Sequence, residues 1–288
     1  MRWEGEEQSE NVEDRRSMGP KLAVGGGIAT LLILVAGYFL GVDPDMLNQF
    51  LGNIQDGGNQ QPAQNRPLNA EEKRSKAFAA TILRFTEEVW TEEFRKVNKE
   101  YQPPHMVLFS DRVDTACGAA PSAVGPFYCP ADKTVYLDPT FFEELEQKLG
   151  GSKAEFSQAY VIAHEVGHHV QNLLGYSAIV DQKRTLPKAE YNKWSVRLEL
   201  QADYLAGVWA HHGQKKFNFI EAGDVESAIK SANAIGDDRL QRRAGGFVSP
   251  ESFTHGRSDQ RVKWFNLGLK TGDMRNLKKI FEMPYDEL

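Results

Sequence analysis

Only two cysteines occur among the 288 residues. That is too few for a disulfide-built scaffold or a four-cysteine zinc site. An excess of basic charge is also missing: 34 Lys and Arg stand against 40 Asp and Glu, a net charge of −6. Nucleic acid is therefore not an expected partner. No internal repeat is visible. Long apolar runs are scarce, with a single apolar stretch of 21 residues free of charge, Leu22 to Val42, which excludes a multi-span membrane protein. With 41% hydrophobic and 26% charged residues, the chain is neither wholly disordered nor collagen-like. It is also long enough to bury a full core without covalent staples.

The apolar stretch sets the expected topology. At ~1.5 Å per residue, a helix over 22–42 is about 31 Å long, enough to cross the hydrocarbon core of a bilayer. A cleaved signal peptide has a shorter apolar region and a small-residue cleavage site, and the following 'GVDPDMLNQ' offers none. Arg15, Arg16 and Lys21 precede the stretch, and no Lys or Arg follows until Arg66. The positive-inside rule then predicts a cytoplasmic segment 1–21, one transmembrane helix 22–42 in contact with the lipid bilayer, and export of everything after it to the periplasmic or extracellular side. Within 43–67, 'GNIQDGGNQQPAQNRP' lacks the apolar side chains needed to offset its ordering entropy and reads as a flexible linker.

Residues 68–288 read as the folded domain. Asn69 followed by Glu71 and Glu72 opens a helix running to about Tyr101, before Pro103 and Pro104. Met106–Phe109 and Thr134–Leu137 suit short strands, and the Gly/Pro-rich 'CGAAPSAVGPFYC' between them reads as a loop. A short helix in 'TFFEELEQKLGG' is followed by helical runs at about 153–174, 188–212, 224–245 and 257–271. The predicted class is mainly α with a small β component, α+β.

The helix 153–174 carries the chemistry. His164 and His168 are four residues apart, so both imidazoles leave one helix face and can hold one metal ion. Glu165 lies beside the first histidine, where a general base is needed. A catalytic zinc usually has three protein ligands. In 'RLELQADYLAGVWAHH', Glu199 and Asp203 are again four apart, within an apolar helix. Glu199 can complete a His2Glu set, and Asp203 can accept from the outward nitrogen of a ligand histidine. The competing reading is a pair of ordinary ion pairs with Arg197 or Lys193.

These motifs resemble the gluzincin class of zinc peptidases. More closely, 'NVEDRR', 'GPFYCP', 'VYLD', 'HEVGHHVQ', 'LELQAD' and 'AGVWA' resemble the bacterial neutral zinc metallopeptidase family often called YpfJ-like. The likeness covers most of the chain outside the linker. It implies a zincin-like metallopeptidase domain, Zn2+ as cofactor and a peptide or protein substrate hydrolysed by a metal-activated water. Tyr204 departs from the pattern, which has Cys after the aspartate. The resemblance also makes 'TVYLD' a candidate substrate-binding edge strand, with a plain core strand as the alternative.

Four further residues complete the reading. Cys117 and Cys129 in an exported domain can form a disulfide, worth ~3 kcal/mol in the chain-entropy model; the alternative is two buried thiols. His255 is a candidate catalytic residue that stabilises an oxyanion, or else a helix-start histidine. Arg261 is a candidate partner for a buried carboxylate. His105, His169, His211 and His212 carry no special spacing. The expected function is a membrane-anchored zinc endopeptidase. A catalytically idle metal-binding scaffold and a zinc amidase of non-peptide substrates remain alternatives.

Overall fold

In the computed structural model, residues 1–17, 66–244 and 248–288 are described. The expected span 22–42 and nearly all of the expected linker lie outside them. Among the described residues, no helix is long and apolar enough to cross a membrane. The fold is mostly helical with a small mixed sheet, in keeping with the α+β expectation.

Strand β1 (Val12–Asp14) is followed by helix α1 (Ala70–Lys96). The Asn69 side chain caps α1 by accepting from the Glu72 N–H, and the Glu72 carboxylate accepts from the Asn69 N–H, closing a capping box. Then come β2 (His105–Leu108), β3 (Arg112–Thr115), β4 (Gly118–Pro121), β5 (Phe127–Cys129) and β6 (Thr134–Leu137). The sheet runs β1-β2-β6-β5, and β3 and β4 form a separate hairpin. β1, β2 and β6 are parallel, while β5 pairs antiparallel with β6.

Two expectations change here. The stretch read as a loop holds β4 and β5, because its Gly and Pro residues fall at strand ends and turns. 'TVYL' is an interior strand, buried throughout between β2 and β5, so the edge is β5 instead. The Cys117–Cys129 disulfide ties that edge to the β3–β4 turn.

The helical part comprises α2 (Phe141–Gln147), α3 (Glu155–Leu174), α4 (Tyr176–Asp181), α5 (Lys188–Phe217), α6 (Asp224–Ala234), α7 (Asp237–Arg243), α8 (Ser258–Thr271) and α9 (Lys279–Glu282). The single helix expected over 224–245 is two, parted at Gly236. A Cβ there would overlap Ser258, so the backbone passes too close to α8 for any other residue.

Glycines also set the spacing of the three central helices. A Cβ on Gly167 of α3 would lie 3.1 Å from the Ala202 carbonyl of α5. Gly207 of α5 and Gly268 of α8 face each other's backbones, and a Cβ on either would overlap the Phe265 or Tyr204 carbonyl. Such contact is open only to a residue without a side chain. Around this stack Trp90, Phe156, Tyr160, Tyr204, Trp209 and Phe265 are fully buried. Close packing here matters because α3 and α5 carry the site on their facing surfaces.

The N-terminal segment is part of this body, not a separate piece. β1 extends the sheet in register, with Val12 opposite Met106 and Asp14 opposite Leu108. Trp3 is buried edge-on against Phe78 of α1. The expected topology puts 1–21 and 68–288 on opposite sides of a bilayer. That arrangement and this packing cannot both hold.

Candidate metal centre

His164 and His168 leave α3 on the face turned toward α5, where Glu199 projects between them. His164 Nε2 is 3.3 Å from Glu199 Oε2, and His168 Nε2 is 3.5 Å from Glu199 Oε1. One donor atom from each residue lies within 4.8 Å of the other two. Ligands about 2.05 Å from a tetrahedral zinc ion are about 3.3 Å apart, close to the two His–Glu199 separations, and the N, N, O chemistry suits zinc.

The outward nitrogens are already engaged. His164 Nδ1–H donates to Asp203 Oδ1 at 2.9 Å, and His168 Nδ1–H donates to Gln171 Oε1 at 2.8 Å. Both tautomers are thereby fixed with Nε2 directed at the shared point. Gln171 is held in turn by donating to the Leu198 carbonyl of α5 at 2.6 Å.

Asp203 has no exposed surface, and four hydrogen bonds converge on it. Besides His164, it accepts from Tyr160 Oη at 2.5 Å and from Arg261 Nε and Nη2 at 2.8 and 3.0 Å. Arg261, on α8, is itself buried. The fork is the geometry in which a buried charge pair is best satisfied. The competing ion pairs do not form. Arg197 donates to the Ile280 and Met283 carbonyls, and Lys193 pairs with Glu190.

Electrostatics divide the carboxylates by role. Burial opposes ionisation of Glu199, but the two histidines outweigh it and hold the carboxyl far below its usual range. Burial likewise opposes Asp203, and the adjacent Arg261 and His164 keep it ionised. An ionised Glu199 suits a metal ligand, and an ionised Asp203 suits the acceptor that orients His164. For Glu165 burial outweighs the opposing pull of His164 and Arg261 and pushes it up to about 7. A carboxyl near neutrality is poised to take and return a proton. The Tyr128 backbone N–H, on edge strand β5, also favours the ionised carboxylate. In the ion-free site burial disfavours a charged His164, yet Asp203 and Glu199 override it and raise it to about 10. Burial lowers His168.

His255 lies beside this group, in the loop before α8. Its Nδ1 faces Asp237 Oδ1 at 3.1 Å, and its backbone N–H donates to Asp237 Oδ2 at 2.6 Å. Partial desolvation works against a charged ring, although the side chain is 48% exposed, and Asp237 overrides it, so its pKa is raised. His255 and Glu199 feel each other's charge.

Over nearly the whole chain, residues 1–279, the sequence matches the family model described as "Putative neutral zinc metallopeptidase". The chain belongs to this family. It is 45% identical over 285 residues to "Uncharacterized protein YpfJ" of Escherichia coli K12, covering 95% of this chain and 96% of that protein. It is also 46% identical over 182 residues to "Uncharacterized protein Rv2575" of Mycobacterium tuberculosis H37Rv, covering 60% and 61%. No solved structure matches.

Every site residue singled out from sequence falls in or beside this centre, except Cys117 and Cys129, which are bonded to each other. Tyr204, at the position where the family pattern has Cys, points away from the donors. Its hydroxyl donates to the Asp273 carbonyl at 2.7 Å and accepts from Asn276 Nδ2 at 3.1 Å. Gln171, Tyr160 and Asp237 were not singled out from the sequence. Gln171 and Tyr160 sit three residues after His168 and four before His164, a helical spacing that could have flagged them. Asp237 gave no such signal, because its stretch read as helix interior.

His169 turns to the other side of α3. Burial lowers it to about 4. Its Nε2–H donates to the Gln102 carbonyl at 2.6 Å, and its Nδ1 accepts from Tyr128 Oη at 2.9 Å. It braces β5 against the metal-site helix.

Proposed function

We propose that this protein is a zinc-dependent peptidase with a zincin-like domain, in which His164, His168 and Glu199 hold the ion. Zinc, when bound, supplies a Lewis acid that polarises a carbonyl and brings the pKa of a water toward neutrality. Asp203 and Gln171 orient the two imidazoles. Glu165 accepts the proton of the attacking water and returns it to the leaving amine. His255, oriented by Asp237, donates a hydrogen bond to the oxyanion. The edge strand β5 offers backbone groups beside Glu165 on which an extended peptide can lie, which favours a peptide over a non-peptide amide.

The observation that carries this reading is Glu165. It coordinates nothing, it sits against the donor triad, and burial pushes it to about 7. A scaffold that merely stores zinc has no use for such a group.

The test is Glu165→Gln in the full chain, since residues 1–17 are part of the fold. Zinc content stays near that of the wild type, while hydrolysis of an unbiased peptide library falls by roughly 10²–10⁴-fold. Equal cleavage by the variant places the active centre elsewhere. A zinc-loaded wild type that cleaves nothing in the library favours the idle scaffold.

A further inference from the structure

The two ends of the stretch 18–65 meet at one place. On the N-terminal side, Arg16 is almost fully buried. Its guanidinium forks onto Asp14, with Nε to Oδ1 at 2.9 Å and Nη2 to Oδ2 at 2.5 Å. The same group donates to Ser75 Oγ and to the Glu72 carbonyl, each at 2.7 Å, in the first turns of α1. On the C-terminal side, Arg66 pairs with the Glu72 carboxylate. The chain thus leaves and returns at the start of one helix.

The N-terminal side of this junction is built in, not laid on. Met106 N–H donates to the Asn11 carbonyl at 2.8 Å, and Arg15 N–H to the Leu108 carbonyl at 2.7 Å. The Arg2 N–H reaches Phe219 and the Ser9 N–H reaches Ala80. Glu87, buried on α1, accepts from Ser9 Oγ at 2.6 Å and Asn11 Nδ2 at 2.8 Å. Without residues 1–17, that carboxylate loses both partners and an interior strand becomes a sheet edge.

Two of the three positive residues counted before the apolar stretch are already engaged: Arg16 by Asp14, and Arg15 by Glu13 at 2.7 Å. The Arg16–Asp14 pair is buried and fixes the segment against α1, whereas the Arg15–Glu13 pair lies at the surface.

We propose that residues 1–17 and the metal-binding domain occupy the same side of the membrane. The apolar stretch 22–42 then cannot cross it once. A return crossing through 43–65 is excluded by Asp43, Asp45 and Asp56 and the lack of a second apolar run.

The test uses the full chain in intact cells. Gln8→Cys and Lys278→Cys place one exposed thiol at each end, with the wild type as blank and a membrane-impermeant maleimide as probe. Under this proposal both sites label in intact cells, or both label only after permeabilisation. Labelling of one and not the other in intact cells overturns it. A second readout is independent of membranes. Trp3→Ala in the purified full chain lowers the unfolding midpoint by several degrees, because the ring is buried on α1. An unchanged midpoint means the segment does not pack on the domain and also overturns the proposal. Neither result depends on peptidase activity.

Discussion

Asp203→Asn tests the arrangement behind the metal site most sharply. The substitution keeps shape and one acceptor oxygen but removes the charge that faces Arg261 and His164. Arg261 is buried, and Asp203 is its carboxylate partner, so the variant leaves a guanidinium in the interior without compensation. Breaking one side of a buried pair costs about 3–5 kcal/mol. Domain stability is typically about 5–15 kcal/mol. At about 2–4 °C per kcal/mol for a domain of this size, the ion-free melting temperature falls by roughly 6–20 °C. Zinc affinity falls by roughly 10–100-fold as well, because His164 loses its orienting acceptor. Scanning calorimetry of the chelated protein and a competitive zinc titration read the two effects separately. Removing both charges, Asp203→Asn with Arg261→Met, costs less than the sum of the single changes. A melting temperature within a degree or two of wild type for Asp203→Asn, or strict additivity in the double variant, refutes the buried-pair argument.

His164→Ala, His168→Ala and Glu199→Ala each strip most of the bound zinc, measured by metal analysis after dialysis; full retention in any one removes that residue from the ligand set. Zinc affinity rises with pH through the neutral range, because in the ion-free site burial is overridden by Asp203 and Glu199 and His164 stays protonated up to about 10. Binding therefore releases a proton, and an affinity flat between pH 6 and 8 contradicts that. Gly207→Ala pushes a methyl group into the Phe265 carbonyl of α8 and lowers stability by about 1–3 kcal/mol or more, read as a shifted denaturant midpoint. It also loosens zinc binding, since α8 carries Arg261.

What the sequence made legible was what is local. His164, Glu165 and His168 share a helix turn, as do Glu199 and Asp203, so periodicity alone placed each set on one face. Partnership across helices was legible where chemistry demanded it. A carboxylate at position 203, deep in an apolar helix, needs a cation, and Arg261 supplies it. Three things escaped. Strand β5 is only three residues long and sits among Gly and Pro, too short for an alternating pattern to register. The break at Gly236, and with it the exposure of Asp237 to His255, depends on a contact with Ser258 in a distant part of the chain. Residues 1–17 are polar and aperiodic because their partners lie on α1, on β2 and near Phe219, and no local window contains those contacts.

That last separation has a consequence in time. Val12 pairs with Met106, and the Arg2 N–H bonds the Phe219 carbonyl, so the N-terminal segment waits for partners made far later. At about 5–20 residues per second of synthesis, more than two hundred residues take roughly 10–40 s to appear. During that interval the apolar stretch 22–42 has left the ribosome, while the Phe219 carbonyl that will receive the Arg2 N–H does not yet exist. The first contact available to the nascent chain is thus a lipid surface or a chaperone, and closing the sheet with β1 comes among the last events of folding.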